Sequence, residues 1–205
     1  MVKKKIIVII QSRLGSLRLP NKALIKIGNK TVLSFLVDRL SKSKFIDDII
    51  IAIPKNKKNI KLKNYIKKKK YKFYEGKEYD VLDRFFRTAK NFKGDTIIRI
   101  TADCPFHDPK LIDAAIQIYN KNKVDLLTNY NPPSFPDGYD FSIMSFNSLK
   151  IANKNARKDY DREHVVPFII NSKKFKKINI SSNNDLSNLR LTLDEQQDYE
   201  LLLKV

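Results

Sequence analysis

The sequence predicts an α/β fold built on a doubly wound, mostly parallel sheet. Apolar, β-branched runs at 6–11, 49–53 and 96–100 read as strands buried on both faces, and helix-period segments alternate with them. No internal repeat or heptad array points to a solenoid or coiled coil. With 205 residues, 42% of them hydrophobic and 10% aromatic, the chain can bury one substantial core.

The first strand, 6–11, opens the chain, and a polar loop follows at 12–22. Residues 31–40 place Val32, Leu33, Phe35, Leu36, Val37 and Leu40 on the apolar side of a helix. The second strand, 49–53, ends at Pro54. A lysine-rich helix at 59–69, a short strand at 71–74, a helix at 79–90 and a strand at 96–100 continue the alternation. Asp108 followed by Pro109 is a helix start, with Asp as the cap and Pro in the first turn, and that helix runs to about Asn120. The next strand is 124–128. The Asn- and Pro-rich stretch 129–138 is a loop. Beyond it, 141–146 reads as extended, 147–153 and 163–170 as helical, 177–180 and 189–193 as extended, and 195–204 as a final helix. The chain 1–205 is expected to form a single domain, with nucleotide-binding work in about 1–128 and a smaller closing part in about 129–205.

The formal charge is +19. Such a balance suggests a nucleic-acid or anionic-membrane partner. Its distribution argues otherwise: lysine supplies most of the excess, in short runs such as 67–70 beside abundant Ile and Asn, which is the pattern of a solvated surface. A nucleic-acid partner is therefore not expected. One cysteine, Cys104, excludes an internal disulfide and a cysteine zinc cluster and suits a reducing, cytoplasmic compartment. The apolar run after Lys3, Lys4 and Lys5 is too short for a signal core or a membrane span, so no membrane insertion is expected.

Ligands of open α/β sheets bind beyond the carboxyl ends of the strands, so the loops after Gln11, Ile100 and Leu193 are where chemistry is sought. The first carries Ser12, Arg13, Gly15, Ser16, Arg18 and Lys22: a turn glycine with backbone N–H groups, and three cations suited to a triphosphate. It is neither a Walker A loop nor a dinucleotide fingerprint, and a basic surface loop is the alternative. The second loop puts Asp103 just past a strand, and the third puts Asp194 directly after Leu193. Two carboxylates at neighbouring strand ends suit Mg²⁺, which takes one or two protein oxygens and leaves the rest to water and phosphate. Asp194 is equally suited to capping the final helix and Asp103 to a turn, and spacing alone favours those roles. His107 and His164 lie far apart in sequence, which argues against a histidine metal site, and no base is placed to activate Cys104.

Six stretches in order along the chain resemble the cytidylyltransferases of the spore-coat polysaccharide, acylneuraminate and 3-deoxy-manno-octulosonate type. They are Gln11 to Ser16 with Arg18, Leu19, Pro20 and Lys22; Tyr79 to Arg84; Arg99 to Thr101 with Asp103, Cys104 and Pro105; Pro136 to Gly138 with Asp140; Arg162 to Val165; and Leu189 to Asp194. The resemblance implies a Rossmann-like fold of the nucleotide-diphospho-sugar transferase type with a small acceptor-binding lobe. It implies that Gln11, Ser12, Arg13, Gly15, Ser16, Arg18 and Lys22 cradle CTP, with Asp80 and Arg84 near the cytidine, and that Arg13, Lys22 and Asp103 carry the catalysis. Asp103 and Asp194 would hold Mg²⁺, while Asp137, Gly138, Asp140, Glu163 and His164 would meet a sugar or sugar-acid acceptor. A homodimer is common among such relatives. Ala102 stands where relatives usually carry glycine, and Ser142 where many carry an acidic residue. Two rival readings are a glycosyltransferase using a nucleotide sugar and a basic nucleic-acid-binding protein without catalysis.

Overall fold

The computed structural model describes residues 3–204. Its centre is a seven-stranded sheet. The strands are β1 (Ile6–Gln11), β4 (Asp48–Pro54), β5 (Lys72–Gly76), β6 (Thr96–Thr101), β7 (Leu126–Thr128), β8 (Ser142–Ser145) and β9 (Lys177–Asn179), in the order β5-β4-β1-β6-β8-β7-β9. A small antiparallel pair, β2 (Lys26–Ile27) and β3 (Lys30–Thr31), stands apart and turns at Gly28, whose φ of 60° is left-handed. The helices are α1 (Val32–Leu40), α2 (Ile60–Lys68), α3 (Val81–Asn91), α4 (Pro109–Asn122), α5 (Phe146–Asn155), α6 (Asp159–His164), α7 (Pro167–Asn171) and α8 (Gln196–Leu202). No helix among the described residues is long and apolar enough to cross a membrane.

β1, β4, β5 and β6 run parallel, while β8 is antiparallel to both of its neighbours, β6 and β7. The apolar runs follow from burial on both faces. Val8 and Ile10 of β1 face one core cluster with Leu33 and Leu36 of α1 and Ile112 and Ile116 of α4. Ile7 and Ile9 face the other, with Leu82 and Phe85 of α3 and Leu149 and Ala152 of α5. Each such fully buried aliphatic side chain contributes about 2 kcal/mol to folding. Caps set the helix starts: Thr31, Asp80, Asp108 and Ser145 accept backbone N–H bonds at the heads of α1, α3, α4 and α5.

Three segments differ from the sequence reading. Residues 189–193 form no strand; they make a single bridge, Asp137 to Arg190, because Leu191 and Leu193 turn inward onto a third apolar cluster with Leu19, Val32 and Leu202. The helix expected over 163–170 is two short helices, α6 and α7, broken at Val165, which has φ 72° and ψ −54°. Val166 N–H bonds the His164 carbonyl across it at 2.9 Å, a strained γ-turn for a β-branched residue. Pro167 at the head of α7 has no N–H to donate back to the Glu163 carbonyl, so α6 cannot run on through it. The final helix is Gln196–Leu202, shorter than 195–204.

The chain leaves β1 toward β4 and β5 and then returns to pair β6 on the other side of β1. That reversal opens a crevice beyond the carboxyl ends of β1 and β6. Gln11 lies in register with Thr101, and Ala102 N–H donates to the Gln11 carbonyl at 2.9 Å. The loops carrying Arg13 and Asp103 therefore leave the sheet side by side.

Candidate active site

A cavity of about 750 Å³ fills this crevice. Its lining includes Gln11, Ser12, Arg13, Gly15, Ser16, Arg18 and Lys22 from the first loop, Asp103 after β6, Glu163 and His164 at the end of α6, and Asp194 before α8. The loop 12–22 is tethered at both ends. Leu14 N–H donates to the buried Asn59 side chain at 2.9 Å, and the Leu14 and Leu19 side chains are buried, so Arg13 and Arg18 are left exposed between anchors. Leu17, at 97% exposure, projects from the tip. Gly15 has no left-handed φ, and a Cβ there would meet nothing within 4 Å. The turn itself does not require glycine, contrary to the reading of a tight glycine turn.

Asp103 and Asp194 come from segments far apart in sequence and meet through backbone contacts. Leu193 N–H donates to the Asp103 carbonyl at 2.8 Å, and the Thr192 hydroxyl reaches the same oxygen at 3.3 Å. The Lys22 ammonium lies between the two carboxylates, 2.5 Å from Asp103 Oδ2 and 2.7 Å from Asp194 Oδ1. Burial alone lowers an ammonium pKa, but the two aspartates outweigh it and hold Lys22 above its usual value. Burial likewise works against ionised Asp103, and Lys22 overcomes it, so that carboxyl sits below the usual range. Asp194 does not cap α8. Glu195 is the N-cap residue, and Asp198 Oδ2 accepts the N–H groups of Asp194 and Glu195 at 2.8 and 2.9 Å, leaving the Asp194 side chain for the cavity.

These oxygens suit Mg²⁺. The Lys22 ammonium shows that one cation can meet both hard carboxylates at once, and among the described residues no group of three His, Cys, Asp or Glu side chains gathers that could hold a metal. Two protein carboxylates with room for phosphate oxygens is the donor set this ion takes.

With the geometry in view, the comparison that decides the family is the match of a model described as Cytidylyltransferase over residues 7–204. The chain belongs to the cytidylyltransferase family. Within it, the chain is 38% identical to an uncharacterized protein of Methanocaldococcus jannaschii, over 98% of this chain and 83% of that protein. It is 32% identical to the spore coat polysaccharide biosynthesis protein SpsF of Bacillus subtilis, over 95% of this chain and 83% of the relative. A solved cytidylyltransferase from Leptospira borgpetersenii superposes with a TM-score of 0.92 at 33% identity, covering 98% of this chain and 86% of that one.

Other residues singled out in the sequence stand around this family site rather than on its wall. Asp80 caps α3 and pairs with Arg162 at 2.6 Å. Arg84 is buried, donates to the carbonyls of Lys77 and Glu78, and thereby pins the loop that presents Glu78 and Tyr79 to the cavity; burial and the nearby Arg13 bring its pKa down to about 10. Asp137 pairs with Arg190 at 2.7 Å, outside the lining. Gly138, at φ 104°, lets the backbone of residues 191 and 192 pass where a Cβ would fall 2.6 Å from the Leu191 carbonyl carbon, so its part is structural packing behind Asp194. The Asp140 carboxyl is pushed up to about 6 by burial and by Asp137. Cys104 is buried with its thiol well above the usual value, which leaves no thiolate for nucleophilic work. His107 is buried, and neither ring nitrogen has a hydrogen-bond partner. Ala102 is the exception, buried yet part of the cavity wall, whereas Ser142 lies outside the lining and bonds the Tyr130 hydroxyl at 2.7 Å.

Sequence reasoning assigned no role to several lining residues: Leu17, Lys58, Glu78, Tyr79, Arg99 and Thr101. Arg99 carried a signal, because a charged residue inside an otherwise apolar β6 has to open onto something polar.

Proposed function

We propose that the protein transfers a cytidylyl group from CTP to a hydroxyl of a sugar or sugar acid, releasing pyrophosphate, with Mg²⁺ held by Asp103 and Asp194. The observation that carries this reading is the pairing of those carboxylates on one cation beside the arginine-bearing loop. Arg13, Arg18 and Lys22 supply positive charge to a triphosphate, and the exposed backbone around Gly15 and Ser16 supplies donors. Lys22 has a dual place: it neutralises the two carboxylates and is available to phosphate when the nucleotide enters. The metal, when bound, would neutralise charge at the α-phosphate. Glu163 and His164, exposed on the cavity wall, are suited to orient the acceptor for in-line attack on the α-phosphorus. In this reading 1–205 work as one domain, with about 1–128 holding the nucleotide and about 129–205 closing over the acceptor, in the cytoplasm.

Asp103→Asn tests it. The variant is expected to keep its fold and to lose CTP-dependent pyrophosphate release by 100-fold or more, about 3 kcal/mol of transition-state stabilisation. Undiminished release would remove Asp103 from the mechanism, and a glycoside product without pyrophosphate would point to a glycosyltransferase instead.

A further inference from the structure

We infer that the outward face of α2, with the turns at either end of it, is a docking surface for an anionic lipid bilayer, on which the protein adsorbs at headgroup level without insertion. Residues 55–72 hold ten lysines and no acidic residue, more than half of the formal charge of +19. Read singly, such runs are solvated surface, but helical spacing gathers them. Leu62 and Ile66 are buried in the core cluster shared with α1, whereas Ile60, Lys61, Asn64, Lys67 and Lys68 fall on the opposite side and are all exposed. Exposed Lys69 and Lys70 extend the face past the end of the helix, and exposed Lys55, Lys57 and Lys58 extend it before the start.

Most of this charge is unanswered. Lys63 pairs with Glu75 and Lys72 with Asp48, while the other eight lysines have no carboxylate in ion-pair contact among the described residues. Like charges set this close repel one another, so the face costs the fold stability until a polyanion meets it. Its chemistry favours lipid over nucleic acid. The segment holds no arginine to fork onto phosphates. Its two aromatic rings, the kind of platform on which bases stack, are half-buried and engaged with the protein: the Tyr65 and Thr31 hydroxyls bond at 2.7 Å, and the Tyr71 hydroxyl bonds Ser34 at 3.3 Å. What stands among the lysines is Ile60, 51% exposed, an aliphatic side chain that gains by entering the headgroup boundary. Compact ammonium groups on flexible stems, around one aliphatic anchor, match a diffuse sheet of anionic headgroups. The face also adjoins the cavity, because Lys58 lines it and Asn59, next to the first residue of α2, accepts the Leu14 N–H. Docking through α2 would bring the mouth of the crevice close to the bilayer.

Vesicle flotation tests this. At low salt, wild type is expected to bind vesicles of phosphatidylcholine with about one-third phosphatidylglycerol and to ignore pure phosphatidylcholine, and to release at about 0.5 M NaCl, where charges are screened within a few ångströms. A variant combining Lys61→Gln, Lys67→Gln, Lys68→Gln and Lys69→Gln changes only exposed side chains to another good helix former. It should keep the wild-type Tm and lose about 100-fold or more in vesicle affinity, since each lysine near an anionic surface contributes about fivefold. A control of equal net charge, combining Lys110→Gln, Lys121→Gln, Lys150→Gln and Lys154→Gln, should bind within about threefold of wild type. Ile60→Gln should weaken vesicle binding several-fold, which a purely ionic contact would not show. No binding by wild type, an equal loss in the two quadruple variants, or an Ile60→Gln variant that binds as wild type does overturns the assignment. Tighter binding to a mixed-sequence RNA or DNA duplex than to the vesicles also overturns it and gives the face to nucleic acid. Pyrophosphate release is read separately, so none of these results decides cytidylyl transfer.

Discussion

Replacing Lys22 by Met isolates the electrostatic demand of the paired carboxylates. In the native protein one ammonium bonds both, at 2.5 and 2.7 Å, and the three side chains are only 16%, 24% and 22% exposed for Lys22, Asp103 and Asp194. Removing it leaves two negative charges about 5 Å apart, which at an effective dielectric of about 20 repel by about 3 kcal/mol. Arg18 and Arg190 still approach Asp194, at 3.3 and 3.4 Å, and partial solvation screens the rest. A net loss of about 2 kcal/mol follows, or about 4–8 °C in Tm for a chain of this size. The shifts give the pH window: raised Lys22 and lowered Asp103 contribute across neutral pH, and the contribution is lost as pH falls through the lowered Asp103 pKa or rises through the raised Lys22 pKa. Urea and thermal unfolding in EDTA at pH 7 provide the assay, repeated with excess MgCl₂. On the proposed reading Mg²⁺ returns a cation to the pair, so the variant should recover most of its loss and gain more from Mg²⁺ than wild type does. A variant as stable as wild type in EDTA, or one whose deficit ignores Mg²⁺, refutes the reasoning.

His107 supplies a second test, because burial, helped by Arg39, lowers its pKa from 6.5 to about 3. The unfolded chain binds a proton below about 6.5 that the folded one refuses, so wild type loses about 2 kcal/mol relative to His107→Leu between pH 7 and pH 5; parallel stability curves over that range would count against it. Gly138→Ala forces a Cβ to within 2.6 Å of the Leu191 carbonyl carbon at a φ of 104°. A loss of about 3 kcal/mol and a fall of about 10 °C in Tm are expected, with weakened Mg²⁺ binding, and a change within 1 °C would show that the 191–192 backbone yields freely.

The buried parallel strands were legible because burial on both faces leaves a continuous apolar run: 6–11 and 96–100 appear in the structure within one residue of their predicted ends. The Asp108 and Pro109 start of α4 was legible for the same local reason. Placement was not. Ser142 to Ser145 gives no local sign that its four residues insert antiparallel between β6 and β7, since that depends on long-range pairing. The alternating leucines of 189–193 mimic a strand, but their apolar side chains serve a separate cluster while their backbone serves Asp103 and Asp137. The hairpin at Gly28 and Asn29 carried a two-residue turn signal that strand length obscured. In the site, cation-bearing residues of the first loop could be named from position and charge. The meeting of Asp103 and Asp194 could not, because spacing favoured capping, and only the resemblance joined them before the structure did.

The amide of Leu193 reaching the carbonyl of Asp103 makes one wall of the cavity depend on two segments far apart along the chain. Backbone ties them, so substitutions at either carboxylate leave the tie in place, whereas a change that frees the 189–193 stretch would part Asp103 from Asp194 without disturbing β1 or β6.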